Sequence, residues 1–538
     1  MFINHNNTII LDVIGKHLKL NVEEASYINL QKIMIHLESK GANIILLWNF
    51  LVMTVYHRIT TTGQGHLIAG ELVTAGLLLP IGGWLADTHF GRFNIVYSGM
   101  WTMWMGAVLA TFSLFLSKIN DEFAEHGDVW VSRLATTIMG AGFGAFLSNI
   151  VQFGIDQLSE ASSTEITKFI TWFTTTMILS GIATHFSTDC TPDYVGVLVV
   201  TTCLSVALCS NFLSNQHLVK EHPRQNPLPM IWSVVKYSAK NKHLRKRFSS
   251  LQEPHGGILT CLNISKTIYA GPFTNEQVED VKAFFRVLAV IATCILACGG
   301  IPIIQYAQDQ ILHHMYKLPT KSLAGCYQRL SMSYVTYIFA LLTMLVYQFI
   351  ARPVFYNFLQ NLSITTKFLI AVILFLLRIV SLLSIESASY HISHNANETV
   401  VHCVLQDATN YIYNINFYWI IIPEAFSGLS SFILILAGIE FICAQAPFSM
   451  KGLTFGISYG LYGLASLLQI AISYPFFFRE TVWVRAPLTC GIWYFLMQGV
   501  IVLIGLALVI FMIKTYRTRT RSSAIQTSEE CHQVILSD

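Results

Sequence analysis

Between two apolar stretches the chain reads Gly82-Gly83-Trp84-Leu85-Ala86-Asp87-Thr88-His89-Phe90-Gly91-Arg92. A tight loop needs Gly91, and Asp87 is placed to cap the amide end of the following helix while pairing with Arg92. The flanking stretches, 67–86 and 94–117, have the length and apolar character of membrane spans, which need about 20 mostly apolar residues. The loop is therefore read as the turn between spans 2 and 3.

Working outward, further spans are expected at 30–56, 133–154, 167–187 and 193–213 in the first set. The second set is expected at 283–306, 328–350, 367–386, 418–443, 453–477 and 489–513. The composition agrees: 53% of the 538 residues are hydrophobic and only 12% are charged, against roughly 25% charged in globular domains. This predicts an all-α membrane protein of about twelve transmembrane helices in two six-helix halves, the arrangement of pseudo-symmetric transporters. The boundaries follow: an N-terminus at 1–26, a first half at 27–213, a basic central loop at 214–282, a second half at 283–513 and a tail at 514–538. Residues 1–26 lack the apolar core of a cleavable signal, so span 1 is expected to direct insertion. No nucleic-acid partner is expected, the net charge of +3 being too small to bear on one, and no phosphate-binding glycine loop suggests drive by ATP. Nothing calls for a cofactor, a metal or a catalytic residue.

Basic residues gather on the cytoplasmic side of membrane proteins. Lys236, Lys240, Lys242, Arg245, Lys246 and Arg247 in the central loop, and Lys514, Arg517, Arg519 and Arg521 after the last span, place both segments there, with both termini. Cys190, Cys326, Cys403 and Cys490 then fall on the other side, where disulfides could form in any of three pairings. Of the sequons, Asn397 lies in a lumenal loop and is the expected glycosylation site, whereas Asn6, Asn263 and Asn361 face the cytosol.

The loop quoted first resembles the major-facilitator signature, in the form of the proton-dependent oligopeptide transporter family (solute carrier family 15). Other segments strengthen the resemblance: Asn149-Ile-Val-Gln-Phe153-Gly154-Ile-Asp156-Gln157, then Phe169, Trp172 and Phe173, then Val278-Glu-Asp-Val-Lys282, which is similar to the animal peptide/histidine branch. Ala437-Gly438-Ile-Glu440-Phe441 and Gln445-Ala446-Pro447 complete the series in the right order over roughly residues 30–515. The resemblance implies a major facilitator superfamily fold and transport, not catalysis. The substrate would be a small peptide, or histidine or a related solute, moved by alternating access and coupled to protons. It gives Asp87, Gly91, Arg92, Phe153, Gly154, Asp156, Gln157 and Glu440 conformational roles.

The sequence also departs from the family. Its span-1 Glu-x-x-Glu-Arg motif is replaced by Met34-Ile-His-Leu-Glu38-Ser-Lys40-Gly41, its span-4 lysine by Leu147 and its span-10 glutamate by Ser431. The aromatic pair of span 7 gives way to Ala297-Cys-Gly-Gly300. Holding a zwitterion at mid-membrane needs a cation and an anion, because stripping water from either charge costs several kcal/mol. The charges left in the spans are Glu38, Lys40, Glu71 and Arg378, and intramembrane charge is functional by default. With Asn149 and Ser431 at family positions, these are the candidates for substrate or proton. The alternative is a transport-poor sensor or scaffold that keeps the fold. Tyr27-Ile-Asn-Leu30 and a dileucine-like tail at 529–536 point to an endolysosomal membrane, with the plasma membrane as the other choice.

Overall fold

The computed structural model describes residues 39–62, 76, 78–119, 128–158, 163–190, 193–223, 226–241, 261–298, 304, 333–351, 363–395, 417–477 and 490–516. These residues are helical almost throughout, with no strand among them. In chain order the long helices are α1 (Lys40–Thr62), α2 (Arg92–Ile119), α3 (Asp128–Asp156), α4 (Ser163–Cys190), α5 (Asp193–Ser214) and α6 (Pro227–Lys240). They continue as α7 (Asn275–Cys298), α8 (Ser333–Val346), α9 (Ile364–Asn395), α10 (Ile421–Gln445), α11 (Lys451–Phe477) and α12 (Cys490–Thr515). Between α1 and α2, residues 78–85 are helical and run into a π-turn at Ala86–Phe90.

Among the described residues, eight helices are long and apolar enough to cross a membrane: α2 to α5, α7, α9, α10 and α12. Helices α1 and α11, of 23 and 27 residues, are as long. At 1.5 Å per residue α1 reaches about 35 Å, enough for a hydrocarbon core of about 30 Å. The polar groups of α11 are turned inward: Thr454, Ser458, Ser466 and Gln469 are buried.

Three expectations need correction at their edges. The described part of span 1 begins at Lys40 and continues to Thr62, six residues beyond the expected end at 56. Helix α7 begins at Asn275, inside the stretch assigned to the central loop. Its first two turns are polar on average, which hides them from a hydropathy reading, yet helical spacing puts Val278 and Val281 on one fully buried face. The central loop itself is partly folded. Asn226 accepts the Leu228 N–H and starts α6, Ile231, Val234 and Ser238 form its buried face, and 3-10 turns follow at Cys261–Ser265 and Thr267–Tyr269.

Each half packs around small residues. A Cβ on Gly142 would lie 2.6 Å from the Gly99 carbonyl oxygen, so α2 and α3 touch backbone to backbone. Asn49 of α1 donates to the Phe173 carbonyl and Thr176 of α4. The halves meet where residues 76–90 and α3 lie against α11, and where α4 lies against α8 and α10.

Candidate functional site

The signature loop builds a buried charge cluster at one end of the bundle, called here the signature end. Gly91 adopts φ 77°, a left-handed conformation that suits glycine. This turn brings Arg92 back over Asp87. Arg92 Nη2 donates to Asp87 Oδ1 at 3.3 Å, and Nη1 donates to Asp156 Oδ2 at 2.7 Å and to Glu221 at 3.4 Å. Gln152 donates to the other Asp156 oxygen at 2.9 Å. Three acids thus surround one guanidinium whose side chain is 7% exposed.

Asp87 does not cap α2, as the sequence suggested. Its Oδ2 accepts the Leu453 N–H at 3.0 Å, at the start of α11 in the other half. The carboxylate lies against Gly452, where a Cβ would come within 2.8 Å of Oδ1. The first amides of α11 have no intrahelical acceptor and carry the positive end of the helix dipole, so an anion is drawn there. Burial pushes the Asp87 carboxyl above its ordinary range, opposed by the Arg92 charge and by the Leu453 and Gly452 amides.

Behind this clasp the halves meet along a seam of small residues. A Cβ on Gly83 would lie 2.2 Å from the Gly452 carbonyl oxygen, and one on Gly456 would lie 2.3 Å from the Leu79 carbonyl oxygen. Gly460 continues the line against the Gly76 carbonyl and Pro80. The signature end is closed in this conformation.

The remaining signature residues brace the clasp. Phe153 is buried between Trp48 and Phe93, at ring-centroid distances of 6.5 and 5.9 Å. Gly154 leaves room for Phe169, whose Cζ would stand 2.1 Å from an added Cβ. Gln157 both donates to and accepts from the Val219 backbone, tying down the chain after α5. Glu440 accepts from Lys367 Nζ at 2.6 Å and joins α9 to α10. Asn149 donates to the Gly82 carbonyl at 3.2 Å and to Ser148, so it stands in a helix contact.

The candidates for substrate or proton are scattered. Arg378 is fully buried within the second half. Ser431 is half-buried on α10, and Leu147 is buried in an apolar setting. Lys40 is exposed at the first residue of α1, at the signature end, and not deep within a span. Glu38, Glu71, Asn397, Cys326 and Cys403 lie outside the described residues, as do the side chains of Cys190 and Cys490. Asn263, expected to carry no sugar, is fully buried.

Two buried acids were missed. Glu424 is 0% exposed in α10 and Glu386 is 4% exposed in α9. Both lie within expected spans, and the rule that singled out Arg378 also applies to them.

A profile of the POT family matches residues 93–476. The chain is 21% identical over 445 residues to solute carrier family 15 member 3 of Rattus norvegicus, covering 73% of each protein. It is equally similar to protein NRT1/PTR family 4.2 of Arabidopsis thaliana, at 21% over 452 residues, covering 77% of this chain and 79% of that one. Among solved structures, the POT family transporter PepTSo superposes with a TM-score of 0.61 at 14% identity, over 89% of this chain and 98% of that one. That likeness shows the fold, the two-half helical arrangement of the major facilitators.

Proposed function

This chain belongs to the POT family, whose members are membrane transporters and not enzymes, and from that premise we propose that it moves small peptides, or histidine or a related small solute, by alternating access driven by a proton gradient. The observation that carries the reading is the clasp between Asp87 and the amide end of α11. It joins the two halves by one carboxylate and a seam of backbone contacts, a joint that can be made and broken without rearranging either half. On the orientation set by the basic residues, the signature end faces the cytoplasm, and the clasp closes the cytoplasmic gate. An endolysosomal membrane fits the sorting-type segments, with the plasma membrane as the other choice.

Proteoliposome uptake of a panel of di- and tripeptides and amino acids, with and without an imposed pH gradient, is the test. Accumulation above equilibrium that needs the gradient supports proton-coupled transport. Uptake indifferent to the gradient removes the coupling and leaves the carrier. The second reading, a sensor or scaffold that retains the fold, is favoured by Leu147, buried and apolar where the family holds a lysine. A folded protein that moves no solute on the panel would decide for it.

A further inference from the structure

Helix α6 lies at the signature end with one face on the bundle and the other turned away from it. Ile231 and Val234 seat it among Val278, Val281 and Phe284 of α7 and Leu453 at the head of α11. These partners stand where the polar first turns of α7 give way to the span expected from residue 283. The helix is thereby held at the level where hydrocarbon meets water.

The face turned away carries Leu228, Trp232, Lys236 and Lys240, spaced by four and so aligned in one row along the helix. All four are exposed, Trp232 to 67%. The row is graded, with its apolar members at the start of the helix and its lysines at the end. Helix α6 contains no acidic residue, and among the described residues neither lysine takes part in an ion pair. Beyond Lys240 the sequence continues with Lys242, Arg245, Lys246 and Arg247.

We propose that this row is a docking surface for the headgroups of anionic phospholipids. Tryptophan suits that layer, since its ring body is apolar and its indole N–H needs a polar partner. Leu228 adds apolar area on the same face, as in helices that lie in the plane of the interface. The lysines reach phosphate and carboxylate groups on long apolar stems, and each basic residue near an anionic membrane strengthens binding by about fivefold. Charge alone would equally suit an acidic protein. The depth of the helix decides for lipid, because a face held at the edge of the hydrocarbon layer meets headgroups before it meets a soluble surface. The row is separate from the gate cluster, and through it the chain senses the charge of its own membrane.

The test is hydrogen exchange in the full chain, reconstituted in nanodiscs of phosphatidylcholine alone or of phosphatidylcholine with phosphatidylserine. Discs expose both leaflets, so the result does not depend on how the chain is oriented. Amides of residues 227–240 should exchange more slowly in the serine-containing discs, by about fivefold for each lysine engaged. Lys236→Gln/Lys240→Gln should lose most of that difference, and Lys236→Arg/Lys240→Arg should keep it. Trp232→Ser should weaken protection in both kinds of disc. Lys514→Gln, which removes an exposed charge after the last span, should leave the difference unchanged. All four positions are exposed, and melting temperatures report whether each variant folds. Equal exchange in the two discs overturns the proposal. A difference that survives the glutamine pair places the lipid elsewhere on the chain and overturns it too. So does protection in phosphatidylcholine discs brought on by inorganic phosphate, which marks an ion site, or by polyglutamate, which marks an acidic protein partner. Protection that grows with chain concentration marks a second copy and overturns it as well.

Discussion

At the scale of single residues, Asp87 shows what a sequence can and cannot disclose. Its pairing with Arg92 was legible, because only four residues, one of them the turn glycine Gly91, separate them. Its bond to Leu453 was not, since that partner lies 366 residues away and contributes a backbone amide, which leaves no mark in the sequence. Arg378 was legible as a charge in an apolar stretch; the buried Glu424 was overlooked beside it, although the same reasoning reaches it. Asp87 also yields a prediction with a definite sign. Its carboxyl is raised above 3.8 by burial, against the pull of Arg92. The folded state therefore holds the proton more tightly than the unfolded chain. The resulting stability is fully present below about 3.8 and is lost as pH rises through the raised value. Asp87→Asn cannot ionise, so its melting temperature should gain on the wild type as pH climbs from about 4. A difference that stays flat with pH would refute this. Gly154→Ala should cost about 1–3 kcal/mol by overpacking against Phe169, read as a lower melting temperature.

At the scale of elements, the helices most visible in sequence were those whose apolar residues run all round, such as α9 and α12. Those that hide a buried face behind polar neighbours were displaced or missed. The start of α7 and the whole of α6 belong to this class. Ile231, Val234, Val278, Val281, Phe284, Met450 and Leu453 form an apolar cluster at the signature end, built from α6, α7 and the entry to α11. Trp84 Nε1 donates to Asn226 at the head of α6, so the central loop is held by both halves. Glu279 gathers Lys266, Lys282 and Arg286 and fixes the loop to α7. The α9–α10 pair makes a sharper test. Lys367 and Glu440 side chains are 15% and 11% exposed. Removing one partner strands the other, at a cost of about 3–5 kcal/mol, while replacing both by apolar residues is often nearly neutral. Glu440→Gln should lower the melting temperature, and the Lys367→Met/Glu440→Leu double variant should recover most of the loss. Equal losses in both proteins would mean that the pair contributes through shape, not charge.

At the scale of the whole molecule, two halves and a central connection were legible from hydropathy and charge, but their contact was not, because glycines in helices report no partner. The orientation remains open to a direct check. Glycan mapping should find sugar on Asn397 and none on Asn263, and sugar on Asn263 would reverse the bundle. The seam makes the strongest mechanical prediction. Gly83→Val places carbon where the Gly452 backbone now stands. The closed signature end should lose about 1–3 kcal/mol, shifting the population roughly tenfold or more toward opening there. A cysteine placed on the seam side of residues 78–85 should then react faster with a maleimide supplied from that side, and an unchanged rate would refute the prediction. The bareness of this seam has a further consequence. A toothed joint must be lifted clear before it can slide, and each tooth withdrawn adds friction. Gly83, Gly452, Gly456 and Gly460 give this one no teeth, so the halves can part as two planed boards do, by slipping or by hinging. Among the described residues of this seam, the peg that resists the parting is Asp87, seated in the end grain of α11.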